Sequence, residues 1–319
     1  MSKFTLDQRT IDSAGAFLEG QLEKLDTRIN MPLQMTTFDR DFALRQDFNP
    51  GLDVLSYTKN TYASTGGNGA FGNNFTGKSV NAAGSVQLDI QKVANNLTPW
   101  VQRFEYSAME LASSQETGQP VDFAKTLAVV NGHKLAVDQT AYIGDASITG
   151  WTGLYNDAFV LANQYTVSAN TWASATPAQI LADVNGLIAS VVNNAGFAAC
   201  PNVLLISPSD ASILKQPVTA AGSISIGEFI KANNLARDYG QELEIRICKW
   251  SQYIHDFGGS SKSRVVAYND SDEFIQFPYL NPIRSATTPI GATYIVDYYS
   301  KFGMLELRYP ETVAYLDHA

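Results

Sequence analysis

The sequence predicts a protein of the α+β class, built around one long helix with strands gathered before and after it. Three observations carry that expectation. Phe123, Leu127, Val130, Val137 and Ala141 recur at steps of three, four or seven, the spacing of one helix face. Val86, Leu88 and Ile90 alternate with Gln87, Asp89 and Gln91, the period of a half-exposed strand. Between Thr176 and Phe277, helical and strand patterns follow each other in a unit of about 100 residues, an ordinary domain size.

The helix pattern has its own punctuation. Pro120 stands just ahead of it, where a fixed φ and a missing N–H cost nothing. Gly144 closes it, as a residue able to take φ > 0 at a helix C-terminus. From Val121 to Ile143 such a helix is about 34 Å long, at ~1.5 Å per residue. A glycine-studded, aromatic turn follows, carrying Gly144, Gly150, Trp151, Gly153, Tyr155 and Asn156.

Ahead of the helix, Ile11, Ala14, Leu18, Leu22, Leu25 and Ile29 lie at helical spacing and predict an amphipathic helix over residues 7–29. Asn30 to Pro50 has scattered aromatics and no period, so it reads as an extended apolar arm that packs against a neighbour. Leu52–Lys59 is strand-like, Ala63–Gly84 is rich in Gly and Asn, and Val86–Gln91 is a strand again. Strand, glycine-rich tip, strand makes a long two-stranded excursion. A two-stranded ribbon is marginal alone in water, so it is expected to lean on another subunit, with Tyr62, Phe71 and Phe75 as anchors. Thr98-Pro99-Trp100 reads as a turn, Val101–Tyr106 as a further strand and Ser107–Glu116 as a short helix.

Inside the ribbon, Gly72-Asn73-Asn74-Phe75-Thr76-Gly77-Lys78-Ser79 matches G-x-x-x-x-G-K-[ST], the phosphate-cradling P-loop. That chemistry needs a buried strand feeding the loop and a helix starting at the lysine, whose N-terminus faces the phosphates. Ala63–Ala70 is not a hydrophobic strand, and Val80–Ser85 is broken by Gly84. The flanks decide against a nucleotide site.

Beyond the aromatic turn, Asp157–Ala175 is loose. Thr176-Pro177-Ala178-Gln179 is a capping box with proline at the first helical position, opening a helix marked by Ile180, Leu181, Val184, Leu187, Ile188 and Val191. Val203–Ile206 is short, apolar and unalternated, as in a strand buried on both faces. Ser209 reads as the cap of a helix through Leu214, and Ile226–Leu235 as another helix. Leu243, Ile245 and Ile247 mark a strand. Val265–Tyr268 and Phe274–Phe277 read as a hairpin about Asn269–Asp272. Ala292–Tyr299 and Met304–Tyr309 are strands joined at Ser300–Gly303, whose apolar face the long helix is expected to cover.

Composition narrows the function. The chain has 319 residues, 45% hydrophobic and 17% charged, which is globular rather than disordered. No apolar run reaches the length of a membrane span, and the first residues lack a secretory apolar core. Cys200 and Cys248 are too few for a disulfide framework and read as buried thiols of a reducing cytoplasm. The net charge of −9 argues against gripping nucleic acid, since phosphate neutralisation supplies most of that affinity. A protein that merely encloses nucleic acid is better served by a surface that does not stick to it. His133, His255 and His318 are the only histidines. No G-x-S-x-G elbow occurs, and no His/Cys pair has metal-site spacing. No catalytic, cofactor-binding or metal residues are expected, and the chain reads as structural rather than enzymatic.

The order of parts, with Thr98-Pro99-Trp100-Val101, Tyr106–Leu111 with Gly118–Asp122, the turn Ile148–Asn156 and the stretch Pro201–Pro208, resembles the major capsid proteins of tailed phages. These share the Hong Kong 97 (HK97)-like shell fold with encapsulins. The resemblance covers essentially the whole chain, and its motifs convince by their order. It implies an N-terminal arm over 1–51, an E-loop ribbon over 52–97, a P-domain over 98–175 with its spine helix at about 119–143, an inserted A-domain over 176–277, and P-domain return strands over 278–319. The turn Gly150–Asn156 would be the hinge to the rest of the P-domain. Copies would assemble as hexamers and pentamers into an icosahedral shell that encloses double-stranded DNA without binding it specifically. The resemblance implies separate scaffold, decoration and portal proteins, no membrane, and a virion component assembled in the host cytoplasm. Since the sequence starts at the arm, a scaffold would be a separate protein or unnecessary. Assembly contacts are expected from Tyr62, Phe71, Phe75 and Lys78 in the ribbon and from Leu18 and Leu22 in the arm. Some relatives cross-link an E-loop lysine; Lys59 and Lys78 are placed for it, but no asparagine partner can be read, and an uncross-linked shell is expected. The alternatives are an encapsulin-like compartment with protein cargo and, from another class, a P-loop NTPase through Gly72–Ser79.

Overall fold

A computed structural model describes residues 32–65, 85–117, 121–148, 150–166, 172–219, 222–253 and 263–318. In chain order they form α1 (Phe38–Asp41), β1 (Ala43–Arg45), β2 (Val54–Thr65), β3 (Ser85–Ser107), α2 (Ala108–Thr117), α3 (Val121–Ile143), α4 (Ala158–Ala162), α5 (Pro177–Asn194), β4 (Val203–Ile206), α6 (Pro208–Leu214), α7 (Ile226–Asn233), α8 (Leu235–Asp238), β5 (Glu244–Ile247), α9 (Trp250–Tyr253), β6 (Ser263–Tyr268), β7 (Ile275–Pro278), β8 (Ile283–Arg284), β9 (Thr288–Ile290), β10 (Thr293–Gly303), β11 (Glu306–Leu307) and β12 (Ala314–His318). The expected amphipathic helix at 7–29 and the Gly72–Ser79 segment lie outside the described residues.

The strands make three sheets. Strand β3 is the longest at 23 residues and serves two partners in turn. From Ser85 to Asn96 it pairs antiparallel with β2, and from Leu97 to Ser107 with β10. It therefore runs straight through the predicted turn at Pro99. Alternate N–H groups of a strand point to opposite sides. Leu97 N–H donates to Asp53 on the β2 side, so the position of Pro99 faces that same side, beyond the start of β2 at Val54. The proline sits where the ladder asks for no donor. Strand β10 likewise continues through Ser300–Gly303, the expected joint.

Helix α3 lies on the β3–β10 sheet, as expected, with Phe104, Val129, Val296 and Tyr298 packed together and Tyr298 Oη donating to Thr126 Oγ1 at 3.3 Å. Its buried stripe is offset from the predicted one. Val129, His133, Val137 and Ala141 are buried, at steps of four, whereas Phe123 is 57% exposed. The turn after α3 folds back on the helix end. Gly144 has φ +81°, and the backbone N–H groups of Leu154 and Tyr155 donate to the carbonyls of Ala141 and Tyr142 at 3.1 and 2.9 Å. Asn156 Nδ2 takes the carbonyl of Ile143 at 2.6 Å. These are helix-end acceptors with no partner inside the helix. Gly153 makes the approach possible, since a Cβ there would stand 2.3 Å from the carbonyl carbon of Tyr142. The turn is a clasp on the helix rather than a hinge.

The sheet β12–β6–β4–β5 is the centre of the α/β unit. Alternate residues feed two cores. Leu204, Ile206, Val265, Ala267, Ala314 and Leu316 meet α5 and the fully buried Trp172. Val203, Leu205, Val266, Tyr268 and Tyr315 meet the end of α3 and its clasp. Helix α5 starts on the predicted capping box. Helix α6 is capped by Ser207 rather than Ser209, with Pro208 at its first position, and the predicted helix from Ile226 breaks at Asn234, which caps α8. The predicted hairpin does not form. Strand β6 pairs with β4 and β12, whereas β7 pairs with β1 and β11. Asn269–Asp272 turns the chain from one sheet to another.

The segment after residue 36 also differs from the expected neighbour-seeking arm. Phe38 and Phe42, one helical turn apart, are buried in the chain's own core, and β1 pairs parallel with β7. Its exposed large apolar side chains, Leu33 and Met35, stand at its start.

Candidate assembly surface

Twelve rungs of the β2–β3 ribbon reach about 40 Å from the sheet at ~3.3 Å per residue. Val86, Leu88 and Ile90 occupy alternate positions and so share one face. They are 69%, 59% and 61% exposed. The same parity continues without a bulge to Trp100 and Phe104, which α3 and its neighbours cover. The ribbon thus prolongs a core-facing surface past the end of the core. Covering one such side chain is worth about 1.5–3 kcal/mol, so the described face stores attraction for something beyond this chain.

A second surface lies on the opposite face of the β3–β10 sheet. Val101 stands across from Tyr299, and Tyr299 across from Ile283. Val101 is 64% and Tyr299 40% exposed. Beside this apolar row, Arg103 and Asp297 form a bidentate pair at 2.7 and 3.0 Å.

The sequence-predicted contact residues fall unevenly on this structure. Tyr62 belongs to β2, at the register position opposite Leu88. Phe71, Phe75, Lys78, Leu18 and Leu22 lie outside the described residues. Val86, Leu88 and Ile90 carried only a strand signal in the sequence; that they are uncovered required the fold.

The two cysteines, His133 and His318 are interior. Cys200 and Cys248 are buried, and burial pushes each thiol up to about 11. His133 is fully buried, with neither ring nitrogen hydrogen-bonded, against Trp100 at 4.5 Å, Tyr279 at 5.6 Å and Phe302 at 6.1 Å between ring centroids. Burial lowers its pKa to about 4. Ser207, Asp210 and His318 come together in a way the sequence did not suggest. Ser207 Oγ caps α6 and donates to Asp210 at 2.7 Å, His318 Nε2 stands 3.4 Å from that carboxylate, and His318 stacks on Trp172 at 4.6 Å. All three are sealed from solvent, which suits packing and leaves no room for a substrate. Among the described residues no group of three or more His, Cys, Asp or Glu is placed to hold a metal, and no helix is long and apolar enough to cross a membrane.

Two further nodes join distant segments that no local sequence signal pairs. Asp138 Oδ1 accepts from the backbone N–H groups of Thr37 and Phe38 at 2.7 and 3.1 Å. Its Oδ2 accepts from Trp250 Nε1 at 2.7 Å and Lys249 Nζ at 2.8 Å. Asp41, equally buried, is held bidentately by Arg40 at 2.7 and 2.9 Å and accepts from Tyr142 Oη, with Arg246 at 3.6 Å.

A long ribbon, a helix lying on the sheet that carries it, and an α/β unit docked on the helix end define a shell subunit of the HK97-like fold. Solved structures agree. The capsid of Myoviridae phage XM1 superposes with a TM-score of 0.75 at 14% identity, covering 94% of this chain and 98% of that one. The Microbacterium phage Oxtober96 structure gives 0.63 at 11%, covering 97% of this chain and 99% of that one, and the capsid of a native GTA particle gives 0.63 at 11%, covering 96% and 98%. No curated protein matches the sequence. Residues 72–318 match the profile of the family described as Major capsid protein, and the chain belongs to that family. It is a structural subunit of a bacteriophage capsid, a virion component that associates with copies of itself into a shell.

Proposed function

We propose that hexamers and pentamers of this protein close an icosahedral shell around double-stranded DNA, and that the ribbon of each copy lies on the Val101–Tyr299–Ile283 row of the next. The uncovered Val86–Leu88–Ile90 face is the observation that carries this reading. In the proposed division, the arm covers 1–51, the E-loop 52–97 and the P-domain 98–175 with 278–313. The A-domain covers 176–277, and β12 adds to it, because Ala314–His318 pairs with β6. The acidic chain holds DNA by enclosure, without specific contacts. It catalyses nothing; Lys78→Ala leaves no ATP hydrolysis to lose. Assembly takes place in the host cytoplasm, with scaffold, portal and decoration proteins supplied separately.

Electron microscopy of the expressed protein tests the shell. Closed particles or capsomers are expected, and a persistent monomer at assembly concentrations would contradict it. Particles from infected cells should carry nuclease-protected double-stranded DNA; protein cargo in its place would mark an encapsulin-like compartment.

A further inference from the structure

Resting on that shell reading, we propose that Asp138 is the positioning residue that sets the angle between α3 and the α/β unit, and through it the curvature of the shell. Most of the contact between the two is apolar: Val137 and Ala141 share one core with Val203, Val266 and Tyr268. Apolar attraction is non-directional, so such a contact fixes proximity better than angle. Charge-assisted hydrogen bonds are directional, and Asp138 concentrates them. An ionised carboxylate has about four acceptor positions, and four donors reach this one. Two come from the chain entering α1, and two, from Lys249 and Trp250, come from the start of α9 in the α/β unit.

A second anchor lies one helical turn further on. Tyr142 donates to Asp41, whose other partners are Arg40 and, from β5, Arg246. Arg40 and Arg246 also bond across the same seam, to the carbonyl of Ile247 at 3.1 Å and of Arg40 at 3.3 Å. One anchor would allow the α/β unit to swivel about the helix; two anchors at positions 138 and 142 resist it. Burying paired charges is a weak source of stability compared with apolar packing of the same volume. Their placement on this seam is better explained by geometry, and subunit geometry is what a closed shell amplifies over many copies.

The test separates angle from stability. Asp138→Asn keeps the oxygen that Thr37 and Phe38 use and turns an NH2 toward two donors. Lys249→Met removes the ammonium from a side chain that is 27% exposed, a change the fold tolerates. Particles assembled from each full-length variant are sized by cryo-electron microscopy beside wild type, and the subunits are melted by calorimetry. Loss of the single wild-type diameter is expected in both variants. The double change Asp138→Asn with Lys249→Gln, which sets an amide oxygen against the new NH2, should restore it. Variant particles of wild-type diameter, with only melting temperature or yield reduced, would overturn the proposal. Should Asp138→Asn not fold, Lys249→Met decides by itself. Failure of the wild type to form particles would instead overturn the shell reading.

Discussion

Leu88 and Phe104 stand on the same face of one strand, sixteen residues apart, in an unbroken register. Phe104 is closed in by Val129 and Tyr298, and Leu88 is open to water. The alternation that places each side chain is identical, so the strand pattern says that a face will be covered without saying by what. In the body the cover is the chain's own helix; along the ribbon the chain offers none among the described residues. Substitutions in the two halves should therefore damage different things, the subunit in one and the assembly in the other.

The largest effect belongs to the body. Gly153→Val would drive a side chain into the backbone of Tyr142, 2.3 Å away, and uncap the end of α3. A loss of about 4 kcal/mol or more is expected, seen as insoluble protein or the absence of a cooperative melt. Phe104→Ala follows, at about 3 kcal/mol, with a lowered melting temperature and assembly lost only in proportion to the folded fraction. Leu88→Asp should do the reverse. Subunit melting changes by less than about 0.5 kcal/mol, as for an exposed site, while sedimentation shows no particles. A parallel fall in both would mean that the ribbon face packs on its own subunit.

Acid offers a way to weaken only the body. His133 is held neutral by burial, with a pKa of about 4 against 6.5 for the free side chain. The unfolded chain binds a proton below about 6.5 and the folded one does not until about 4. The folded state is therefore fully favoured above 6.5 and loses stability as pH falls between those values. The loss approaches about 3 kcal/mol at pH 4. His133→Phe removes the titration while filling the aromatic box, so the wild-type deficit relative to it should grow from pH 7 to pH 4. A difference independent of pH would show that the imidazole is not shielded from water.

Local signals carried most of the fold. The Thr176–Gln179 box, the unalternated Val203–Ile206 and the proline-to-glycine span of α3 each depend on neighbours in sequence, and each formed where expected. The misreadings share a different cause. Pro99 looked like a turn because the sequence cannot show that its strand lacks a partner on that side. Asn269–Asp272 is a turn, but which sheets its two strands join is decided by β1 and β12, far away in the chain. Asp41 and Asp138 read as scattered carboxylates, because Tyr142 lies 101 residues from Asp41 and Thr37 lies 101 residues from Asp138. For the assembly surface, alternation pointed to the ribbon, and exposure of Val86, Leu88 and Ile90 came only with the fold. Five of the six predicted contact residues fall outside the described residues.

The smallest effect is also the most discriminating. Arg103 and Asp297 pair on the outer face of the sheet, with side chains 57% and 33% exposed. An exposed pair of this kind is screened by water and salt and adds little to a folded subunit. Arg103→Ala should accordingly leave the melt of the isolated subunit where it was. If the ribbon of a neighbour covers the Val101–Tyr299 row, however, the same pair passes out of water when the shell closes, and its partner carboxylate is left alone in the variant. An unpaired charge at a closing interface raises the protein concentration needed for assembly, and added salt no longer compensates once the site is covered. Measuring the critical concentration of wild type and Arg103→Ala at low and high salt tests that placement. Equal values at both would put the neighbour's ribbon elsewhere on the subunit.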